Sequence, residues 1–193
     1  MVDFYPKKIN ERFNNPKHTG LLKDATANAK WASFVCGVSL TFSIKIEGDK
    51  KKIVDAKFQT NACGYVIAAA DLVAEKIVGQ KLTQLHGLKE IENDIISEIG
   101  DVPESRQHCL DICFNAMQNA LAEYRTSQIE EYTGEKALIC TCFGVSEEEI
   151  EKLLKDKEIE AVDQIGDLCG AGTGCGSCQP LIQEIIDNEL ENY

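Results

Sequence analysis

Two pairs of cysteines constrain this chain more than any other feature. Cys140-Thr141-Cys142 is a C-x-C pair, and Cys175-Gly176-Ser177-Cys178, after 32 intervening residues, is a C-x-x-C pair. Four thiols in two close pairs can surround zinc or a small iron–sulfur cluster. The flank Gly170-Ala171-Gly172-Thr173-Gly174-Cys175-Gly176 favours the cluster. Glycine lets backbone approach a bulky anionic group, and its N–H groups can then donate to sulfur. The chain has nine cysteines, an odd number, and MVDFYPKKIN at its start has no apolar signal region. Together these predict a reducing, cytoplasmic setting in which thiols serve as ligands and not as disulfides. No apolar run reaches membrane-spanning length.

Charge divides the chain. Residues 1–127 hold 16 acidic and 16 basic side chains, whereas residues 128–193 hold 16 acidic and 4 basic, so the whole net charge of −12 lies in the last third. Such a surface argues against nucleic acid as a partner, because phosphate contacts need a basic face. The composition break falls on the polar stretch SQIEEYTGEKA, and predicts domains at 1–127 and 138–193 with a linker at 128–137.

The pattern predicts an α+β fold. A short helix covers Tyr5 to Phe13 and ends before Asn15-Pro16, since proline disfavours helix in the residue before it. Strands at Val38–Glu47 and Lys52–Thr60 flank Gly48-Asp49 and a lysine run, which reads as a solvated hairpin tip. Helices follow at Gly64–Val78, Leu88–Ile99 and Ser105–Arg125. The last third carries a helix from Ser146 to Lys155, a glycine-rich loop from Gly166 to Gly176, and a helix from Pro180 to Glu191. Ser146 with Glu149 forms a capping box. Trp31, Phe34, Phe42 and Phe58 read as packing residues. His18 and His86 read as surface or turn residues.

The C-terminal pattern resembles the bacterioferritin-associated ferredoxin domain, a small helical module that also occurs within NifU proteins. The resemblance implies one permanent [2Fe-2S] cluster on Cys140, Cys142, Cys175 and Cys178. It leaves out Cys169, which reads as a packed thiol nearby.

Three further cysteines sit in different elements. Cys36 precedes a strand. Cys63 opens a helix, where the positive helix end favours thiolate. Cys109 starts the long helix directly after His108. Cys113, one turn on, reads as core. Asn15-Pro16 with Gly20, Cys36-Gly37, Ala62-Cys63-Gly64 before an alanine-rich helix, and His108-Cys109 together resemble the NifU/IscU scaffold family over about residues 4–126. The resemblance implies a three-stranded antiparallel sheet packed with helices. It implies a transient [2Fe-2S] or [4Fe-4S] cluster, or an iron or zinc ion, at Cys36, Cys63 and Cys109, with His108 as a fourth ligand. Implied partners are a cysteine desulfurase of the NifS/IscS type, acceptor apoproteins, an electron donor and a second copy in a homodimer. No membrane partner is implied.

The chain departs from that family at two places. Val38 stands where the family has aspartate after Cys-Gly, which predicts a longer-lived cluster or ligation shifted to His108. Val102-Pro103-Glu104-Ser105-Arg106 stands where IscU proteins carry the chaperone motif L-P-P-V-K. The NifU branch fits better, as a two-domain version or a truncated form. The expected function is a scaffold and carrier for cluster assembly, not an enzyme, with Cys109 as first sulfur acceptor. One other reading is an electron-transfer protein with two stable clusters. Another is a zinc-bound N-terminal module that regulates the desulfurase.

Overall fold

The computed structural model describes residues 4–34, 36–48, 51–85, 89–100, 102–130 and 132–191. His86, Leu88 and the Asp49-Lys50 tip therefore lie outside the described residues. The chain divides into two compact units, residues 1–81 with 87–123, and 82–86 with 124–193. Among the described residues no helix is long and apolar enough to cross a membrane.

The first unit is an antiparallel sheet in the order β1-β2-β3 with helices packed on it. Its strands are β1 (Ala27–Ala32), β2 (Ser39–Glu47) and β3 (Lys52–Thr60). Leu40, Phe42 and Ile44 alternate on one face of β2, Phe42 and Ile44 pair with Phe58 and Ala56 on β3, and these five with Ile53 are buried. A period of two places them on one side, where they meet the helix layer. Strand β1 is absent from the sequence reading. Ala-Asn-Ala-Lys-Trp-Ala has little β preference, and pairing with β2, from Ala27↔Ile44 to Ala32↔Ser39, makes it a strand. The free edge of β3 is covered: Phe58 N–H donates to His18 O at 2.9 Å and Ile53 N–H to Gln80 O at 3.0 Å. Covered edges do not recruit foreign strands.

Helix α1 (Lys7–Asn14) packs beside α2 (Gly64–Ile77), which is followed by α3 (Lys89–Ile99) and α4 (His108–Glu130). Helix α2 is buried almost all round, its alanines allowing close approach. Its one charged buried residue is Asp71, at 1% exposure. Asp71 Oδ1 accepts from the N–H groups of Lys17 at 2.7 Å and His18 at 2.9 Å, and lies 3.2 Å from His18 Nδ1. Arg12 completes the cluster, donating to Asp71 Oδ2 at 2.9 Å. His18 is thus a half-buried partner of a buried carboxylate, not the surface residue its position after Pro16 suggests. Phe34 departs the other way and is fully exposed. Strand β1 ends at Ala32, so Phe34 falls in the loop that carries Cys36.

Helix α4 begins at His108 after a 3-10 turn at Glu104–Arg106, and runs to Glu130, through the start of the expected linker.

The second unit holds a two-stranded ladder, β4 (Leu138–Cys140) and β5 (Val145–Ser146), with helices α5 (Glu147–Asp156), α6 (Val162–Cys169) and α7 (Gln179–Glu191). Ser146 caps α5 by accepting from Glu149 N–H at 3.2 Å. Phe143, Val145, Ile150, Ile165, Ile182 and Ile186 are fully buried or nearly so. The glycine-rich segment is shorter than its composition suggests. Gly166 lies inside α6, and the loop starts at Gly170, whose left-handed φ of 84° ends the helix.

Candidate metal centres

The β4–β5 turn and the loop before α7 bring four thiols together in two pairs. Cys140, at the end of β4, is buried, and Cys142 lies half-buried in the turn. Cys175 is exposed in the loop, and Cys178 is buried just before α7. Cys142 Sγ donates to Cys175 Sγ at 3.5 Å, and Cys178 is hydrogen-bonded to Cys140. Burial pushes the Cys178 thiol up to about 11, and Cys140 beside it adds to the rise. Burial likewise raises Cys142. Cys175 is drawn down to about 7 by the hydroxyl and N–H of Ser177, with Ser177 Oγ at 3.3 Å. Cys142 and Cys178, so raised, hold their protons until a cation displaces them.

The surrounding backbone is arranged for anionic sulfur. Gly172 N–H is hydrogen-bonded to Cys178, and Cys175 N–H to Cys142. Gly174 keeps space open: a Cβ there would lie 3.1 Å from Cys142 Sγ. Four thiols as two plus two, N–H donors aimed at sulfur and a glycine against a ligand fit a cluster of two irons. Cys169 is half-buried at the end of α6 and donates to Ile165 O at 3.3 Å, outside both pairs.

The first unit gathers Cys63, Cys109 and His108. Cys63 is the N-cap residue of α2, and its Sγ lies 3.9 Å from Cys109 Sγ. His108 Nε2 is 3.7 Å from the same sulfur. Cys109 is 2% exposed. Burial, then the neighbouring Cys63, push its thiol up to about 12, with Arg106 acting in the opposite sense. Sulfur acceptance calls for an exposed, readily ionised thiol, and Cys109, expected as the first acceptor, is buried beside the exposed His108. Cys36 has that character instead. It is exposed on the β1–β2 loop, and the Ser33 side chain and Val38 N–H draw its thiol down. Among the described residues no hydrogen bond joins Cys36 to the other three, and, here as at the four-thiol site, no three ligand-type side chains converge on a single-ion position. Cys113 is fully buried, donating to Val66 O and Cys109 O, as a core thiol.

Several supporting residues escaped the sequence reading. Tyr5 Oη accepts from Gly64 N–H at 3.0 Å, next to Cys63, and a Cβ on Gly64 would strike the Tyr5 ring at 2.6 Å. Asn61 Oδ1 accepts from Ser39 N–H at 2.7 Å, and its amide donates to Gly37 O at 3.4 Å, tying the Cys36 turn to the segment before Cys63. Arg106 is the cation whose charge reaches both Cys36 and Cys109. Asn61 lies two residues from Cys63 and Arg106 two from His108, whereas Tyr5 is remote in sequence from every cysteine and histidine.

Comparison with known proteins now decides the family. Residues 4–131 match the NifU-like N terminal domain. The chain belongs to that family. Residues 138–188 match the BFD-like [2Fe-2S] binding domain. The nitrogen fixation protein NifU of Trichormus azollae is 35% identical over 196 residues, which cover 97% of this chain and 65% of that protein. The chain thus spans slightly under two thirds of such NifU relatives. The iron-sulfur cluster assembly scaffold protein IscU of Aquifex aeolicus is 28% identical over 147 residues, covering 76% of this chain and 91% of that one. Two solved structures share the fold of the first unit. One is an iron-sulfur cluster assembly scaffold protein for the SUF system from Fervidobacterium islandicum, with a TM-score of 0.52 at 24% identity over 60% of this chain and 95% of that one. The other is a NifU-like N-terminal protein from Brucella abortus, with a TM-score of 0.51 at 20% identity over 63% and 94%.

Proposed function

We propose that this chain is a scaffold and carrier for iron–sulfur cluster assembly, not an enzyme, working in the cytoplasm as a homodimer. Residues 1–127 build the transient cluster and residues 138–193 hold the permanent one. In this reading Cys140, Cys142, Cys175 and Cys178 ligate the resident [2Fe-2S] cluster, which supplies one-electron chemistry. Cys36, Cys63, Cys109 and His108 hold the cluster under construction, which is cargo. The observation that carries the reading is the contrast between the sites. Four thiols are already paired in one unit, whereas in the other Cys36 is exposed on a loop and Cys109 is buried beside Cys63 and His108.

Sulfur enters at Cys36. Its thiolate attacks the outer sulfur of a persulfide on the cysteine desulfurase, forming a new S–S bond and expelling the desulfurase cysteine as thiolate. Exposure and the drawn-down thiol support Cys36 for this step. Asn61 orients the turn that presents it. Acceptor apoproteins then exchange their own thiols for these ligands. The acidic surface of the last third suits basic partners.

The test is a chelator challenge on protein purified anaerobically, with iron, sulfide and visible absorption followed together. A scaffold loses one cluster quickly and regains it with desulfurase, cysteine and ferrous iron. Retention of both clusters would establish the second reading, an electron-transfer protein with two stable clusters, which Val38 in place of a carboxylate favours. Tightly held zinc at the N-terminal site of protein from iron-replete cells would favour the regulatory module instead.

A further inference from the structure

The loop that presents Cys175 is clasped from outside the ligand pattern. Gln179, the first residue of α7, follows Cys178 directly. Its Nε2 donates to the carbonyl of Gly172 at 3.0 Å. Gly172 is also the residue whose N–H is hydrogen-bonded to the Cys178 sulfur.

The two contacts are mechanically linked. The Gly172 carbonyl belongs to the peptide plane after its Cα, and its N–H to the plane before. Gly172 sits at a φ of 84°, a left-handed conformation that glycine adopts freely. Val162 Cγ1, Gln179 Cγ and Ile182 Cδ1 lie 3.2, 3.4 and 3.5 Å from the place of its absent Cβ. Ala171, in the preceding plane, is fully buried. Only the φ and ψ of Gly172 separate the two planes, so tethering the carbonyl restricts how far the N–H can turn. Without the clasp the second plane can rotate, and glycine offers little resistance to that.

A directed N–H matters to a cluster. Reduction by one electron adds negative charge that spreads onto the ligand sulfurs. A donor aimed at a sulfur stabilises the reduced form more than the oxidised form, and so raises the potential. We propose that Gln179 is a positioning residue for the C-terminal cluster: by holding the Gly172 carbonyl it keeps the Gly172 N–H aimed at the Cys178 sulfur, and thereby sets the reduction potential. This inference rests on the reading that Cys178 is a ligand.

The experiment compares Gln179→Met with Gln183→Met in the full chain. Methionine keeps the length and helix preference of glutamine and lacks the donor. Gln183 lies one turn on, and its amide donates to Asp187 at 2.8 Å, so its variant controls for an altered α7 surface. Gly172 amide exchange is measured on cluster-free protein, and the potential by spectroelectrochemical titration of loaded protein. Gln179→Met is expected to speed Gly172 exchange about tenfold. It is also expected to lower the reduced-to-oxidised ratio at fixed poise about tenfold, a shift of about 59 mV for a one-electron couple. Gln183→Met leaves both at the parent values. Unchanged Gly172 exchange in Gln179→Met, an unchanged potential, or an equal shift in Gln183→Met overturns the proposal. If Gln179→Met fails to load, the exchange measurement on cluster-free protein decides alone. The ligand reading is tested separately by Cys178→Ser: parent iron, sulfide and visible spectrum in that variant would break it, whatever Gln179 does.

Discussion

Replacing Gly174 by alanine should cost this protein its C-terminal cluster while leaving its fold in place. The added Cβ would stand 3.0 Å from Cys142 Cβ, 3.1 Å from Cys142 Sγ and 3.1 Å from Phe143 Cε2. Ordinary contacts between such atoms begin near ~3.5 Å, so Cys142 must retreat by about 0.4–0.5 Å. Phe143, 1% exposed, leaves no room behind it. Metal–ligand distances tolerate only about 0.2 Å of error, so the retreat exceeds what ligation allows. Overpacking of this kind costs about 1–3 kcal/mol. Borne by the loaded state, that weakens cluster retention about 5- to 150-fold. Gly176 supplies the control. Its φ is 76°, yet the nearest atoms to its missing Cβ are the flexible end of Gln179 at 3.8–4.0 Å. Gly176→Ala therefore carries a conformational penalty of about 1–2 kcal/mol that falls on loaded and cluster-free protein alike. Iron and sulfide per chain, and the rate at which visible absorption bleaches under chelator, order the three proteins. Parent and Gly176→Ala should bleach at similar rates, and Gly174→Ala much faster. Equal bleaching of the two variants would refute the close-approach argument and leave only conformational freedom as the reason for glycine there.

Asp71→Ala strands the Lys17 and His18 N–H groups and removes a partner from Arg12. Breaking a buried pair costs about 3–5 kcal/mol, so the urea midpoint read from Trp31 fluorescence should fall by at least about 1 M; an unmoved midpoint would contradict the buried network. Arg12 holds the Glu75 carboxyl, and Lys76 the Glu98 carboxyl, below the usual range. Both groups bind protons more readily unfolded than folded, so their contribution is present at neutral pH and is lost as pH falls through and below about 4.5. Arg12→Gln should flatten that acid limb, and an unaltered limb counts against the ion pairs. Cys36→Ser should abolish reconstitution of the N-terminal cluster, whereas Cys113→Ser, changed in the core, should reconstitute with parent stoichiometry and lower stability. Val38→Asp restores an oxygen ligand beside Cys36 and should speed cluster transfer to an apo-ferredoxin; an unchanged rate would remove Val38 from the account of lability.

What the sequence disclosed was whatever short spacing encodes. Cys140, Cys142, Cys175 and Cys178 were legible because each pair spans at most four residues and their glycine flank is contiguous. Strands β2 and β3 were legible because their apolar residues alternate. Strand β1 was not, because Ala27–Ala32 is a strand by pairing and not by preference. His18 was misjudged because its partner, Asp71, lies 53 residues away on α2. Phe34 was misjudged because hydrophobicity says nothing about where β1 stops. The burial of Cys109 was not legible for the same kind of reason: its place in the first turn of α4 is local, but its burial depends on α2 and Cys63. Tyr5, Asn61 and Gln179 share this property. Each acts through hydrogen bonds to backbone groups, and no pattern in a single chain marks such a residue.

The two thiol sites differ in what must move for metal to enter or leave. In the second unit Cys142 and Cys175 already touch, Cys140 and Cys178 are hydrogen-bonded, and N–H groups from Gly172 and Cys175 are in place. Ligands so preset lose little freedom on binding, which favours the loaded state. On the proposed ligand set, the first unit draws its ligands from a loop, a helix cap and a helix start, with Cys36 exposed and Cys109 buried. Asn61 ties that loop through Gly37 and Ser39, while Tyr5 covers the N–H beside Cys63. Closing the site then costs ordering of the Cys36 loop, and opening it exposes the cargo to an incoming thiol. In the proposed reading, an exposed ligand on a loop beside ligands at helix ends suits a site that hands its cluster on.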